Sequence, residues 1–211
     1  MVVYWFTFSI FVLFHLGTCF FKKEKLRKIS KVFIIPFLMV GLLITKTYNL
    51  FLYAGLILGW IGDIFLLFAN RKQFFIVGAI SFALGHIAYI IATLRIFIEK
   101  FSLADIPIWA YITLSICAVA FLLLTFLKTK KHLGKLAFLM AFYFYILVIA
   151  ILTGIVTDMY LLSIGFAVFV ISDSILSINK YFRPIKRDHF FIMSTYILAQ
   201  TLIVISFMLS Q

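Results

Sequence analysis

Apolar runs of about twenty residues, parted by short polar breaks, fill this chain. A helix needs about 20 mostly apolar residues to cross the hydrocarbon core of a bilayer. Such runs lie near Val3–Phe21, Val32–Thr47, Leu50–Ala69, Phe74–Ile98, Pro107–Leu127, Leu136–Thr153, Met159–Ile178 and Phe190–Leu209. The second is the shortest and carries Pro36 in its first turns. The pattern predicts an all-α fold: a polytopic membrane helix bundle with eight transmembrane helices, forming a single domain over residues 1–211.

Composition agrees with this reading. The chain is 65% hydrophobic and only 12% charged, with a mean hydropathy of +1.20. A soluble domain is nearer half apolar. The net charge of +12 sits in the breaks between runs, not along one face. It therefore argues for topology signals and lipid-phosphate contacts, and against nucleic acid. Lys22, Lys23, Lys25, Arg27, Lys28 and Lys31 follow the first run, and Arg71 and Lys72 the third. Lys128, Lys130, Lys131 and Lys135 follow the fifth, and Lys180, Arg183, Lys186 and Arg187 the seventh. The remaining breaks hold few cations, so the basic loops are expected in the cytoplasm and both termini outside. Cys19 and Cys117 fall inside apolar runs and form no CxxC pair. Met1 to Phe6 has no basic leader, so no cleavable signal peptide is expected.

Two carboxylates interrupt the apolar pattern. Asp63 lies within Gly59–Phe68 and Asp173 within Phe166–Leu176, each in an Asp-x-x-Leu motif. A shift of 110 residues superposes Asp63 on Asp173, Leu66 on Leu176 and His86 on Tyr196. It also lays the first four runs over the last four. That predicts two parallel four-helix repeats, 1–100 and 111–211, about an axis along the membrane normal. An Asp in hydrocarbon costs roughly 2.5–3.5 kcal/mol on insertion scales. No Lys or Arg stands inside either run to neutralise it. Counted from Arg71 and Lys180, both aspartates sit about 10–12 Å below the basic boundary. Two carboxyls meeting there cannot both ionise easily, so a general acid beside a general base is expected. The plainer alternative is a pair of structural aspartates bridging helices.

Polar side chains near those levels complete the candidate site. His86 and Tyr89 share one helix face at i, i+3, and Gly85 beside them permits close helix contact. Tyr196 and Gln200 share another face at i, i+4. Tyr143, Tyr145 and His15 are weaker candidates, for which packing is the favoured reading; interhelical hydrogen bonding accounts for His86, Tyr196 and Gln200 equally well. No HExxH, GxSxG or P-loop is present, and no metal site or cofactor is expected.

In order, Gly62-Asp63-x-x-Leu66, Phe82-x-x-Gly85-His86-x-x-Tyr89, Ser172-Asp173-x-x-Leu176 and Thr195-Tyr196-x-x-Ala199-Gln200 resemble successive motifs of the lysoplasmalogenase (YhhN-like) membrane family. The likeness runs from about Lys31 to Ser206. Lys31 is similar to the lysine of a Lys-Pro pair in that family, with Val32 in the proline's place. The resemblance implies an eight-span hydrolase acting on lysoplasmalogens, lysophospholipids with a vinyl ether at the first glycerol carbon. The products would be a fatty aldehyde and glycerophospho-ethanolamine or -choline. Asp63, Asp173 and His86 would then be catalytic, and Lys31, Tyr89, Tyr145, Ser172, Tyr196 and Gln200 would contact substrate. Two other classes use intramembrane carboxylates. An intramembrane aspartyl protease is disfavoured because its Gly-x-Gly-Asp motif is absent. A small proton-coupled transporter would suit the parallel repeat. The expected location is the bacterial inner membrane.

Overall fold

A computed structural model describes residues 1–100 and 136–210, with isolated positions between 115 and 134. Seven helices are described: α1 (Val2–Phe20), α2 (Glu24–Ile44), α3 (Leu50–Leu66), α4 (Lys72–Lys100), α5 (Leu136–Val156), α6 (Tyr160–Tyr181) and α7 (Asp188–Leu209). No strand occurs among the described residues. Five helices, α1 and α4 to α7, are long and apolar enough to cross a membrane. Helix α3 is apolar but has 17 residues, and α2 begins with charged turns. The predicted span Pro107–Leu127 lies outside the described residues, apart from isolated positions.

Each described helix packs on the next in chain order, and α7 closes the ring onto α1 and α2. The outward faces carry exposed Leu13, Phe33, Phe138, Ile164 and Leu198. Exposed apolar side chains on every side suit a bilayer rather than water. Inside, α3 and α4 approach closely because small residues face one another. A Cβ on Gly62 would lie 2.7 Å from the Phe82 ring, and one on Gly85 would lie 3.0 Å from the Gly55 carbonyl. Gly85 thus makes the close contact its sequence position predicts.

Helix α2 departs from the hydropathy pattern. Lys22–Lys31 reads as a basic loop, yet the helix starts at Glu24, whose carboxylate favours the first turn. Its inward stripe is Arg27, Ser30 and Lys31, then Ile34, Ile35, Leu38 and Leu42, all buried, while Leu26 and Ile29 face outward. The stripe keeps helical phase but changes from polar to apolar halfway along. Pro36 consequently sits mid-helix. Its ring nitrogen has no hydrogen to give the Val32 carbonyl four residues back. The Trp60 indole N–H of α3 donates to that carbonyl at 2.8 Å instead. The proline thereby creates the acceptor that ties α2 to α3, one residue from Lys31.

Candidate functional site

Asp63 is 2% exposed, in the last turns of α3. Lys31 Nζ of α2 lies 3.0 Å from its Oδ1, and the Tyr196 hydroxyl of α7 donates to its Oδ2 at 2.5 Å. Three helices therefore meet on one carboxylate, and each of its oxygens has a partner. The run around Asp63 holds no cation, but the neighbouring helix supplies one. The expectation of an unneutralised aspartate fails because Lys31 belongs to a helix, not to a loop.

Asp173 occupies the corresponding level of α6 and is bound differently. The Tyr143 hydroxyl of α5 donates to its Oδ2. His86 Nε2 of α4 lies 3.2 Å from that same hydroxyl oxygen. With the Tyr143 hydrogen directed at Asp173, His86 carries its hydrogen on Nε2. Its buried Nδ1 then has no hydrogen-bond partner. The imidazole is enclosed by Phe169, 4.5 Å away between ring centres, and by Phe166 and Tyr89. His86 thus acts on Asp173 through Tyr143, not directly. Lys31 and Asp63 both lie within electrostatic reach of Asp173.

The other predicted residues divide. The Tyr89 hydroxyl donates to Gln200 Oε1 at 3.1 Å, a buried pair joining α4 to α7. The Ser172 hydroxyl donates to the Ile192 carbonyl at 3.0 Å and links α6 to α7. Tyr145 is half-buried and stacks on exposed Phe142, whereas Tyr143, two residues earlier, points into the ring. His15 of α1 bonds Ser30 of α2 at 2.7 Å.

Among the described residues two cavities lie near the level of the aspartates; Asp173 lines the smaller, and Asp63 lines neither. The larger, about 470 Å³, is lined by Arg27, Lys28 and Lys31 of α2, Lys180 of α6, and Asp188 and His189 of α7. The smaller, about 30 Å³, is lined by Asp173 and Tyr143 with mainly apolar neighbours. Leu66, Leu176 and Phe75 line both. The two leucines are those of the paired Asp-x-x-Leu motifs, so each motif supplies a carboxylate and part of the dividing wall. Lys31 is in the wall of one cavity and Asp173 in that of the other. His86, Tyr89, Tyr145, Ser172, Tyr196 and Gln200 line neither. Reading the breaks as loops hides Arg27 and Lys180. The phase of Arg27, Ser30 and Lys31 with Ile34, Ile35 and Leu38 was the available signal for Arg27.

The arrangement offers one carboxyl beside a water-sized space and a second carboxylate fixed by an ammonium. At 30 Å³ the small cavity has room for about one or two waters. Among the described residues, no group of three His, Cys, Asp or Glu side chains is set to hold a metal. No curated protein and no solved structure matches the chain. The sequence model of the YhhN family matches residues 26–207, a span holding both Asp-x-x-Leu motifs, Lys31, His86, Tyr143 and Tyr196. This multi-pass membrane protein belongs to the YhhN family.

Proposed function

We propose that the protein is a membrane hydrolase that cleaves the vinyl ether of lysoplasmalogens to a fatty aldehyde and a glycerophospho-ethanolamine or -choline. The observation that carries this reading is the position of the two motif leucines. They separate a basic polar cavity from a small, mostly apolar one that holds Asp173. A lysophospholipid has the same sequence of parts, with its phosphate a few ångströms from its ether bond.

Asp173 is the acid in this proposal, because Lys31 and Tyr196 already occupy both oxygens of Asp63. Asp173 gives its proton to the terminal carbon of the C=C–O unit. The π electrons form the new C–H bond, and the ether oxygen shares its lone pair with the adjacent carbon as an oxocarbenium ion. The Asp173 carboxylate left behind stabilises that cation. Water then adds to the cationic carbon and returns a proton to Asp173. The hemiacetal collapses to aldehyde and alcohol, with one water consumed overall. Tyr143 holds the Asp173 carboxyl in line, and His86 holds Tyr143. Asp63 balances Lys31 and keeps that ammonium at the cavity wall. Eight spans, a basic end in the cytoplasm and a bacterial inner-membrane location belong to the same proposal.

Purified protein in detergent should release aldehyde from lysoplasmalogen, more slowly in D₂O because carbon protonation limits the rate. Asp173→Asn should lower turnover by about 10²–10⁴-fold, as removal of a general acid does. Asp63→Asn should also lower it, and the double change should cost little more than the worse single one. Near-normal turnover in well-folded Asp173→Asn protein would refute the assignment.

A further inference from the structure

We infer that Arg27 and Lys180 form a phosphate seat in the larger cavity, which anchors the lysophospholipid headgroup; this rests on the hydrolase reading above. The lining carries four cations, Arg27, Lys28, Lys31 and Lys180, against two acids, Glu24 and Asp188. The acids are already engaged. Asp188 Oδ2 accepts from Asn179 at 2.8 Å, and Glu24 Oε2 accepts from Arg27 Nη2 at 2.8 Å.

Two of the cations lack a full set of partners, Arg27 in a buried position and Lys180 in a half-buried one. Arg27 is 9% exposed, and its Nε has no hydrogen-bond partner. Among the described residues its one carboxylate contact is Glu24, whose side chain is 59% exposed, which makes for a weak ion pair. A guanidinium so placed usually answers to a further anion. Lys180 donates to the Ala69 carbonyl at 2.8 Å and lies 4.7 Å over the Phe75 ring. Among the described residues, no carboxylate is within ion-pair distance of it. An ammonium has three hydrogens, so two remain for a ligand. Arg27 comes from α2, whose Lys31 pairs with Asp63, and Lys180 from α6, which carries Asp173, so an anion in the cavity they share would join the helices that serve the two aspartates. The guanidinium fork suits two phosphate oxygens, and the ammonium suits a third contact.

The seat can be tested without hydrolysis. A saturated alkyl-ether lysophospholipid keeps the phosphate but has no vinyl ether to cleave. Its binding to purified protein, followed by calorimetry, should weaken about 10- to 100-fold in Arg27→Gln and in Lys180→Gln, the effect of losing one charge-assisted hydrogen bond. The matching alkylglycerol, which lacks phosphate, should bind wild type and both variants alike. Soluble glycerophosphate should displace the lysolipid only at far higher concentration; displacement at equal concentration would overturn the lipid assignment in favour of a free-phosphate site. Unchanged lysolipid affinity in both variants would overturn the seat itself. Should Arg27→Gln fail to fold, Lys180→Gln, at the half-exposed end of α6, still decides. Binding without aldehyde release from lysoplasmalogen would overturn the hydrolase reading and leave the seat standing.

Discussion

Lys31 and Asp63 face each other at 3.0 Å with side chains 10% and 3% exposed, so neither is neutral to the loss of the other. Removing one partner of a buried pair leaves an uncompensated charge and costs about 3–5 kcal/mol. Lys31→Met should therefore lower the melting temperature in detergent sharply. Lys31→Met with Asp63→Asn removes both charges, while the amide that replaces the carboxylate can still bond Tyr196. That double variant should melt close to wild type yet release no aldehyde. A double variant as unstable as Lys31→Met alone would show that packing, not charge, sets the cost. Both aspartates were legible in the sequence because a carboxylate in an apolar run has no cheap explanation. Tyr143 and Tyr145 were harder to separate. Two residues along a helix turn about 200°, so one must face inward and the other away. Periodicity in so uniformly apolar a segment does not say which, and it is Tyr143 that meets Asp173.

At the scale of elements, α2 shows where hydropathy misleads. Charged residues lower the windowed average, which moved the expected helix start from Glu24 to Val32. What the average discards is phase, and phase carries the polar stripe into the ring. The remaining elements were more legible. The expected runs at Val3–Phe21, Leu50–Ala69 and Phe190–Leu209 lie within a few residues of α1, α3 and α7, since nothing in them competes with burial. Pro36 and Trp60 supply a test of how α2 is held. Trp60→Phe strands the Val32 carbonyl inside the bundle, at a cost of about 1–3 kcal/mol. Pro36→Ala restores an N–H four residues on, so Val32 is satisfied within its own helix. Trp60→Phe should accordingly cost clearly less in the Pro36→Ala background. Unfolding of the four proteins in one detergent gives the comparison; an equal cost in both backgrounds would sever Pro36 from Trp60.

For the whole molecule the question is which way the ring faces. The 110-residue shift carries Gly55, whose added Cβ would strike the Tyr89 ring, onto Gly165, whose added Cβ would lie 3.2 Å from the Ala199 carbonyl. Residues 89 and 199 are themselves 110 apart, so α3–α4 and α6–α7 close on repeat-related contacts. The C-terminal ends of α3 and α6 lie on one side, where Lys180 donates to the Ala69 carbonyl. The larger cavity lies there, between the start of α2 and the ends of α3 and α6. The basic breaks after α1, α3 and α6 occupy that same end, so under the proposed function the positive-inside rule would turn the cavity toward the cytoplasmic leaflet. Substrate would then enter from the inner monolayer. Cysteine labelling in a background without Cys19 and Cys117 can decide this. Lys25→Cys, at the exposed start of α2, should react with an impermeant maleimide only after the cells are opened. Tyr48→Cys, 70% exposed between α2 and α3 at the opposite end, should react in intact cells. The reverse pattern would place the cavity outside, and an enzyme drawing lysolipid from the inner leaflet would be ruled out.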